Sequence, residues 1–184
     1  MEYQFENLGA DRFQHFCQAL LLAEGPDVQC LPVGQRDGGR DAFSLYYIDK
    51  TRPLTIFQVK YVKRPDAEQA PWKWLVNTMK KELPKIQNYV PKGATRYVLM
   101  TNVRGTAHPE SGSLDTMNAL LEDKLAIPAA CLWRDDLNRR LDNQPDLRWA
   151  YSELITSSDL LKILVESGLA ERKELRIAAI AYST

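Results

Sequence analysis

Apolar positions along this chain recur with two spacings, every second residue and every third or fourth, and the switch between them marks the elements. From Asp11 to Glu24, Phe13, Phe16, Cys17, Leu20 and Leu21 follow a helical stripe that Gly25-Pro26 stops. Val28–Val33 is a short strand or an extended entry to a glycine-rich stretch at 34–39, and 41–48 and 54–61 are strand-like runs around a polar turn. Pro71–Tyr89 carries Trp72, Leu75, Val76, Met79, Leu83 and Ile86 as a helical stripe, and Pro84 inside it is expected to kink or divide the helix. Arg96–Val103 is almost continuously apolar, the pattern of a central strand covered on both faces. A helix over Ser113–Leu125 and a strand over Ile127–Trp133 follow, the latter expected near a sheet edge because Pro128 comes early in it. A short helix begins at the Asp135-Asp136 pair, which reads as capping and dipole chemistry rather than a metal site. Ser158–Leu169 is a last amphipathic helix. The expected architecture is α/β, a central mixed sheet from the runs near 28–33, 41–48, 54–61, 96–103 and 129–133, flanked by helices.

Chemistry-bearing residues concentrate in the second and third of these strands. Alternation puts Thr55, Phe57, Val59 and Tyr61 on one face and Ile56, Gln58 and Lys60 on the other. Gln58 and Lys60 then point the same way, about 6.6 Å apart at two strand rises. With the turn centred near Lys50-Thr51, Asp41 falls opposite Lys60 and Phe43 opposite Gln58, giving a cluster of Asp41, Gln58 and Lys60 above Ile56 and Leu45. A slip of one residue would turn Asp41 to the other face. Gly38-Gly39 supplies a sterically open bend just before it.

Composition narrows the setting. Lysine plus arginine and aspartate plus glutamate balance at 24 each, so no global field draws the chain to nucleic acid or to a membrane. Cys17, Cys30 and Cys131 lack CxxC spacing and His15 and His108 lie far apart, which argues against zinc and for reduced thiols in a cytoplasm. No signal peptide and no membrane-length apolar run is visible. One ordinary domain fits the 184 residues.

Gly38-Gly-Arg-Asp-Ala42, followed by an apolar strand ending Gln58-Val-Lys60, resembles the Mrr-like branch of the PD-(D/E)xK nucleases, in which Gln often replaces Glu. The run from Leu132 to Tyr151 resembles the segment that closes such domains at the N-terminus of antiviral STAND NTPases, so the likeness spans roughly residues 10 to 155. The resemblance implies a restriction-endonuclease-like fold over 1–156, with 157–184 a helical extension or linker toward an ATPase module. It implies a magnesium site (manganese as the alternative ion) formed by Asp41, Gln58 and the carbonyl of Val59, with Lys60 orienting water or stabilising charge. The family's supporting glutamate on the first helix corresponds to Gln14 here. With Gln14 and Gln58 both neutral, Asp41 is expected to be the one close carboxylate, Asp37 being near enough in sequence to help, and magnesium is expected to bind weakly until substrate phosphate adds ligands.

Arg36, Arg40, Lys63, Arg64 and Lys73 form a basic rim in the sequence around these residues, suited to the phosphates of duplex DNA, and Lys80, Lys81 and Lys85 lie further along the next helix. The implied activity is sequence-nonspecific cleavage of double-stranded DNA by an antiphage effector, switched on when the parent protein assembles, a tetramer by resemblance. A catalytically inactive DNA-binding or assembly module is the alternative that Gln14 and Gln58 favour. A free-standing restriction enzyme is a third, with no room in the chain for a recognition domain.

Overall fold

The computed structural model describes residues 1–25, 27–34, 39–44, 54–66, 70–109 and 111–168. Five strands, β1 (Val28–Cys30), β2 (Ala42–Ser44), β3 (Leu54–Lys60), β4 (Ala94–Thr101) and β5 (Ala129–Leu132), lie in the sheet in chain order. β1, β2 and β3 pair antiparallel, and β3, β4 and β5 pair parallel, so the sheet is mixed and β5 is the edge strand expected there, beginning just after Pro128. The helices are α1 (Gly9–Glu24), α2 (Pro71–Gln87), α3 (Ser113–Lys124), α4 (Arg134–Asp142), α5 (Pro145–Ala150) and α6 (157–168). The turn expected at Lys50-Thr51, Leu45 and the end of the chain beyond 168 lie outside the described residues.

Two apolar layers sandwich the sheet. On one face α1 and α4 cover Ala42, Val98 and Met100, with Phe57, Val59 and Tyr61 packed alongside. Phe5, Phe13, Phe16, Tyr61 and Tyr151 form a chain of ring contacts there, with centroids 5.2 to 5.9 Å apart along the closest pairs. On the other face α2 and α3 cover Ile56, Tyr97 and Leu99. The split between Phe57/Val59/Tyr61 and Ile56/Gln58/Lys60 is the one that period-two alternation predicts. β4 is buried from Tyr97 through Thr101, the doubly covered centre.

Two expectations need correction. Pro84 does not divide α2, which runs unbroken from Pro71 to Gln87. Pro84 is exposed and only three residues from the helix end, where one lost backbone bond is borne by Leu83 and Ile86 anchoring the turn in the core. The register of β2 against β3 is also two residues from that expected: Phe43 pairs with Ile56 and Ala42 with Phe57, which sets Asp41 beside Gln58 rather than Lys60. An even slip preserves the parity of faces, so the pairing still keeps Asp41 alongside the Gln58–Lys60 end of β3.

Tertiary polar contacts tie the ends of these elements together. Asn102, just past β4, accepts from the Val62 N–H at 2.8 Å and donates to the Val62 carbonyl at 2.8 Å, extending strand pairing with a side chain. Asp136 accepts from the Trp133 N–H at 2.9 Å, the capping role expected of the Asp135-Asp136 pair. Arg134 is 0% exposed; it donates to the Tyr3 carbonyl at 2.8 Å and pairs with Glu6 at 3.3 Å and Asp66 at 3.5 Å.

Candidate active site

Gln58 and Lys60 leave β3 on the α2 side of the sheet, and the geometry around them is built from four elements. Gly39 precedes β2 with φ of 88°, a left-handed conformation that disfavours any side chain. A β-carbon added there would lie in ordinary contact, 3.4 Å from Gln58 Nε2 and 3.6 Å from Glu82 Oε2, so the backbone passes beside the cluster and it is the positive φ, not want of room, that calls for glycine. Asp41, two residues on, is buried; its N–H donates to the Phe57 carbonyl at 2.9 Å and its Oδ2 accepts from the Val59 N–H at 2.7 Å. The carboxylate is thereby pinned to the β3 backbone between Gln58 and Lys60.

The side chain that the sequence reading missed is Glu82 of α2. Its Oε2 accepts from Gln58 Nε2 at 3.4 Å and lies 3.8 Å from Lys60 Nζ, while its Oε1 accepts from Lys85 Nζ at 2.9 Å. Burial alone would raise its pKa, but the Lys85 hydrogen bond, the charges of Lys60 and Lys85 and the Gln58 amide outweigh that and hold it below the ordinary carboxylate range. Asp41 is therefore not the one close carboxylate. Glu82 sits 22 residues beyond Lys60 on a different element, and the only sequence signal was an acidic residue beside a buried stripe, between Lys81 and the core residue Leu83.

Gln58 is 1% exposed and held from both ends. Its Oε1 accepts from the hydroxyl of Tyr97 at 2.7 Å, which leaves the amide nitrogen facing Glu82. Burial, then the thiol of Cys131 and the carboxylates of Asp41 and Glu82, push the Tyr97 hydroxyl well above its ordinary pKa, so it stays a donor. Tyr97 lay in what reads as a plain apolar strand; its hydroxyl fixes the amide of Gln58 from inside the core.

The other expected site residues are spread around this cluster. Gln14 is half-buried on α1, but the α1 side chain that reaches Asp41 is Gln18, whose Nε2 donates to the carbonyls of Leu31 at 2.8 Å and Asp41 at 2.9 Å. Arg40 stacks its guanidinium over Tyr89 at 4.5 Å and Phe43 at 5.7 Å, half-buried beside β2. Lys63 and Arg64 are exposed past β3, and Lys73 is exposed on α2 with its ammonium 5.7 Å from the Trp72 ring. Arg36 and Asp37 lie outside the described residues. His108 is an exposed loop residue held by Ser111 at 2.7 Å.

The carboxylates of Asp41 and Glu82 are the oxygen donors suited to a hard divalent cation, whereas the Gln58 amide oxygen is taken by the Tyr97 hydroxyl and its nitrogen faces Glu82. Among the described residues no group of three or more His, Cys, Asp or Glu side chains converges, so protein carboxylates alone would leave such an ion under-coordinated. Among the described residues no helix is long and apolar enough to cross a membrane. No protein-family profile, no curated protein and no solved structure matches the chain.

Proposed function

We propose that the chain is a metal-dependent endodeoxyribonuclease of the Mrr-like PD-(D/E)xK type, cutting double-stranded DNA with little sequence preference. The single observation that carries this reading is the meeting of Gln58, Lys60 and Glu82 at one end of β3, on the α2 side of the sheet, with the Asp41 carboxylate bound to the Val59 N–H between Gln58 and Lys60. Asp41, Glu82 and the Val59 carbonyl are the groups that would hold magnesium or manganese, while Gln58, whose amide oxygen is bonded to Tyr97, would hold Glu82 in place instead of ligating the ion. The ion, when bound, polarises a phosphodiester and lowers the pKa of water.

The chain's own residues have separable tasks. Asp41 is held to the strand by the Val59 N–H, which fixes its carboxylate without lending it a counter-charge. Gln58, clamped by Tyr97, orients Glu82 by hydrogen bond and contributes no charge of its own. Lys60 neutralises Glu82 in the present arrangement and is the cation placed to stabilise negative charge developing on a phosphate. Glu82 supplies the negative charge that Gln14 and Gln58 do not, which weighs against an inactive module. Arg40, Lys63, Arg64 and Lys73 are suited to phosphate contacts, which position a duplex without reading its sequence.

A site of two carboxylates binds magnesium weakly, and zero net charge gives weak DNA affinity. Both fit an effector of antiphage defence in the cytoplasm that is quiet alone and gains affinity when a parent protein, a tetramer by resemblance, gathers several copies on one DNA. Supercoiled plasmid with 10-fold graded magnesium, with and without tetramerisation by fusion, tests both ideas. Nicking and linearisation lost in Asp41→Ala, and stronger in the fusion, is expected. Cleavage by neither form, or equal cleavage by Asp41→Ala, rejects hydrolysis at this site; equal cleavage by monomer and fusion rejects the assembly switch alone.

A further inference from the structure

The proposed chemistry occupies one flank of α2, and the rest of that helix has an unusual surface. In Pro71–Gln87 the inward stripe is Leu75, Val76, Met79, Leu83 and Ile86. Outward stand Lys73, Trp74, Asn77, Lys80, Lys81, Pro84 and Lys85, all exposed. Glu82 is the helix's only carboxylate, and it is turned to Gln58, Lys60 and Lys85. A chain with balanced charge overall thus shows one helix face that is wholly basic or neutral, with a tryptophan on it. Trp74 is 49% exposed, and Trp149 46% on α5 away from this helix, whereas Trp133 is 2% exposed in the core and Trp72 is half-buried beneath Lys73.

Helical spacing links this indole to the reaction site. Trp74, Thr78 and Glu82 follow one another at intervals of four, on one flank, and Lys81 and Lys85 fall within about 20° of Trp74 around the axis, at 3.6 residues per turn. Eight residues separate Trp74 from Glu82, a rise of about 12 Å, or three to four nucleotides at ~3.4 Å each along one strand. A polyanion following the lysines past Glu82 would bring a base to the indole.

We propose that Trp74 is a stacking platform for an unpaired base of the nucleic acid held along α2, with Lys73, Lys80 and Lys81 tracking its backbone. This rests on the nuclease reading for the identity of the polyanion and adds a substrate preference to it. A base inside a duplex must first be unstacked before it can meet an indole, which costs a few kcal/mol. A base already unpaired, in a single strand, a bulge or a frayed end, meets the ring without that penalty. The preferred substrate is then duplex DNA with a locally unpaired base a few nucleotides from the phosphate that is cut.

Fluorescence anisotropy in EDTA, where nothing is cleaved, tests the stack apart from the hydrolysis. The probes are labelled oligo-dT, a blunt duplex and the same duplex with one unpaired internal base. Trp74→Ala is expected to weaken oligo-dT and bulged-duplex binding by roughly 5- to 150-fold, with blunt-duplex affinity changed less than about twofold and the melting temperature unchanged. Trp74→Phe should recover most of the loss. Equal loss on all three probes, no loss on any, or no measurable binding of any probe by the wild-type chain overturns the proposal. So does a Trp74→Ala protein that changes self-association in sedimentation while keeping wild-type oligonucleotide affinity. Plasmid cleavage measured on the same preparations separates the two ideas. Trp74-dependent binding without cleavage sinks only the hydrolysis, and cleavage without Trp74-dependent binding sinks only the stack.

Discussion

Two clusters of charged side chains in this molecule use the same ingredients to opposite ends. Around Arg134 the cation is wholly enclosed, and Glu6, Asp66 and the Tyr3 carbonyl close on it from the N-terminal segment and the segment leading into α2. Around Glu82 the central charge is a carboxylate that keeps 20% of its side chain exposed, with Lys60 and the 56% exposed Lys85 beside it. A buried cation with fixed partners can only hold elements together, since removing a partner strands a charge without water. A carboxylate at the rim, flanked by lysines that solvent can take over, can exchange partners for an ion or a phosphate. Burial, more than residue type, separates the clasp from the candidate site.

The sharpest way to break this contrast is to remove one charge from each cluster. Glu82→Gln should lower plasmid cleavage by roughly 100-fold or more, the scale seen when one preorganised electrostatic group is lost, while the melting temperature stays within a few degrees. Arg134→Ala should do the reverse. It should cost about 3–5 kcal/mol of stability, or a melting shift of about 6–20 °C for a chain of this size, as read by circular dichroism. If Arg134→Ala melts like wild type, the clasp is not one. If Glu82→Gln cleaves at the wild-type rate, Glu82 belongs with the surface charges.

Tyr97→Phe probes the boundary between core and site. The ring stays, but Gln58 Oε1 loses its donor in a buried place, at a cost of about 1–3 kcal/mol. Losing the support behind a reactive group should lower cleavage by about 10-fold. A chemical-denaturation midpoint shift with unchanged cleavage would limit Tyr97 to packing. The smallest effect is expected at acid pH. Burial raises the pKa of Asp142 and of Asp159, but hydrogen bonds and nearby cations overcome this and lower both from their ordinary values. Their stabilising contribution is therefore fully present above the unfolded value of about 3.9 and disappears as pH falls through the lower folded values. The melting difference between wild type and Asp142→Asn should be flat from neutral pH to about 5 and shrink away as pH falls through the lowered folded-state pKa. A difference that grows on acidification would show the sign to be wrong.

How far the sequence could be read depended on the range of the interaction involved. Gln58 and Lys60 could be placed on one face because alternation along a single strand is local. The β2–β3 register was misplaced by two residues, since it depends on turn geometry that alternation does not encode. Pro84 suggested a broken helix because its local penalty is visible in sequence, while the core contacts of Leu83 and Ile86 that offset it are not. Glu82 was invisible as a site residue. Nothing in Lys-Lys-Glu-Leu-Pro says that a helix returning over the sheet will set this carboxylate against a strand more than twenty positions earlier.

The one-dimensional pattern by itself determined the elements, the mixed α/β layering and the face on which Gln58 and Lys60 stand, because each follows from the period of apolar positions. Only the tertiary structure decided that Glu82 completes the cluster, that Tyr97 holds Gln58 and that Arg134 is enclosed. Those facts depend on which distant segments pack together, and packing is a property of volumes and closure that no single stretch of chain carries.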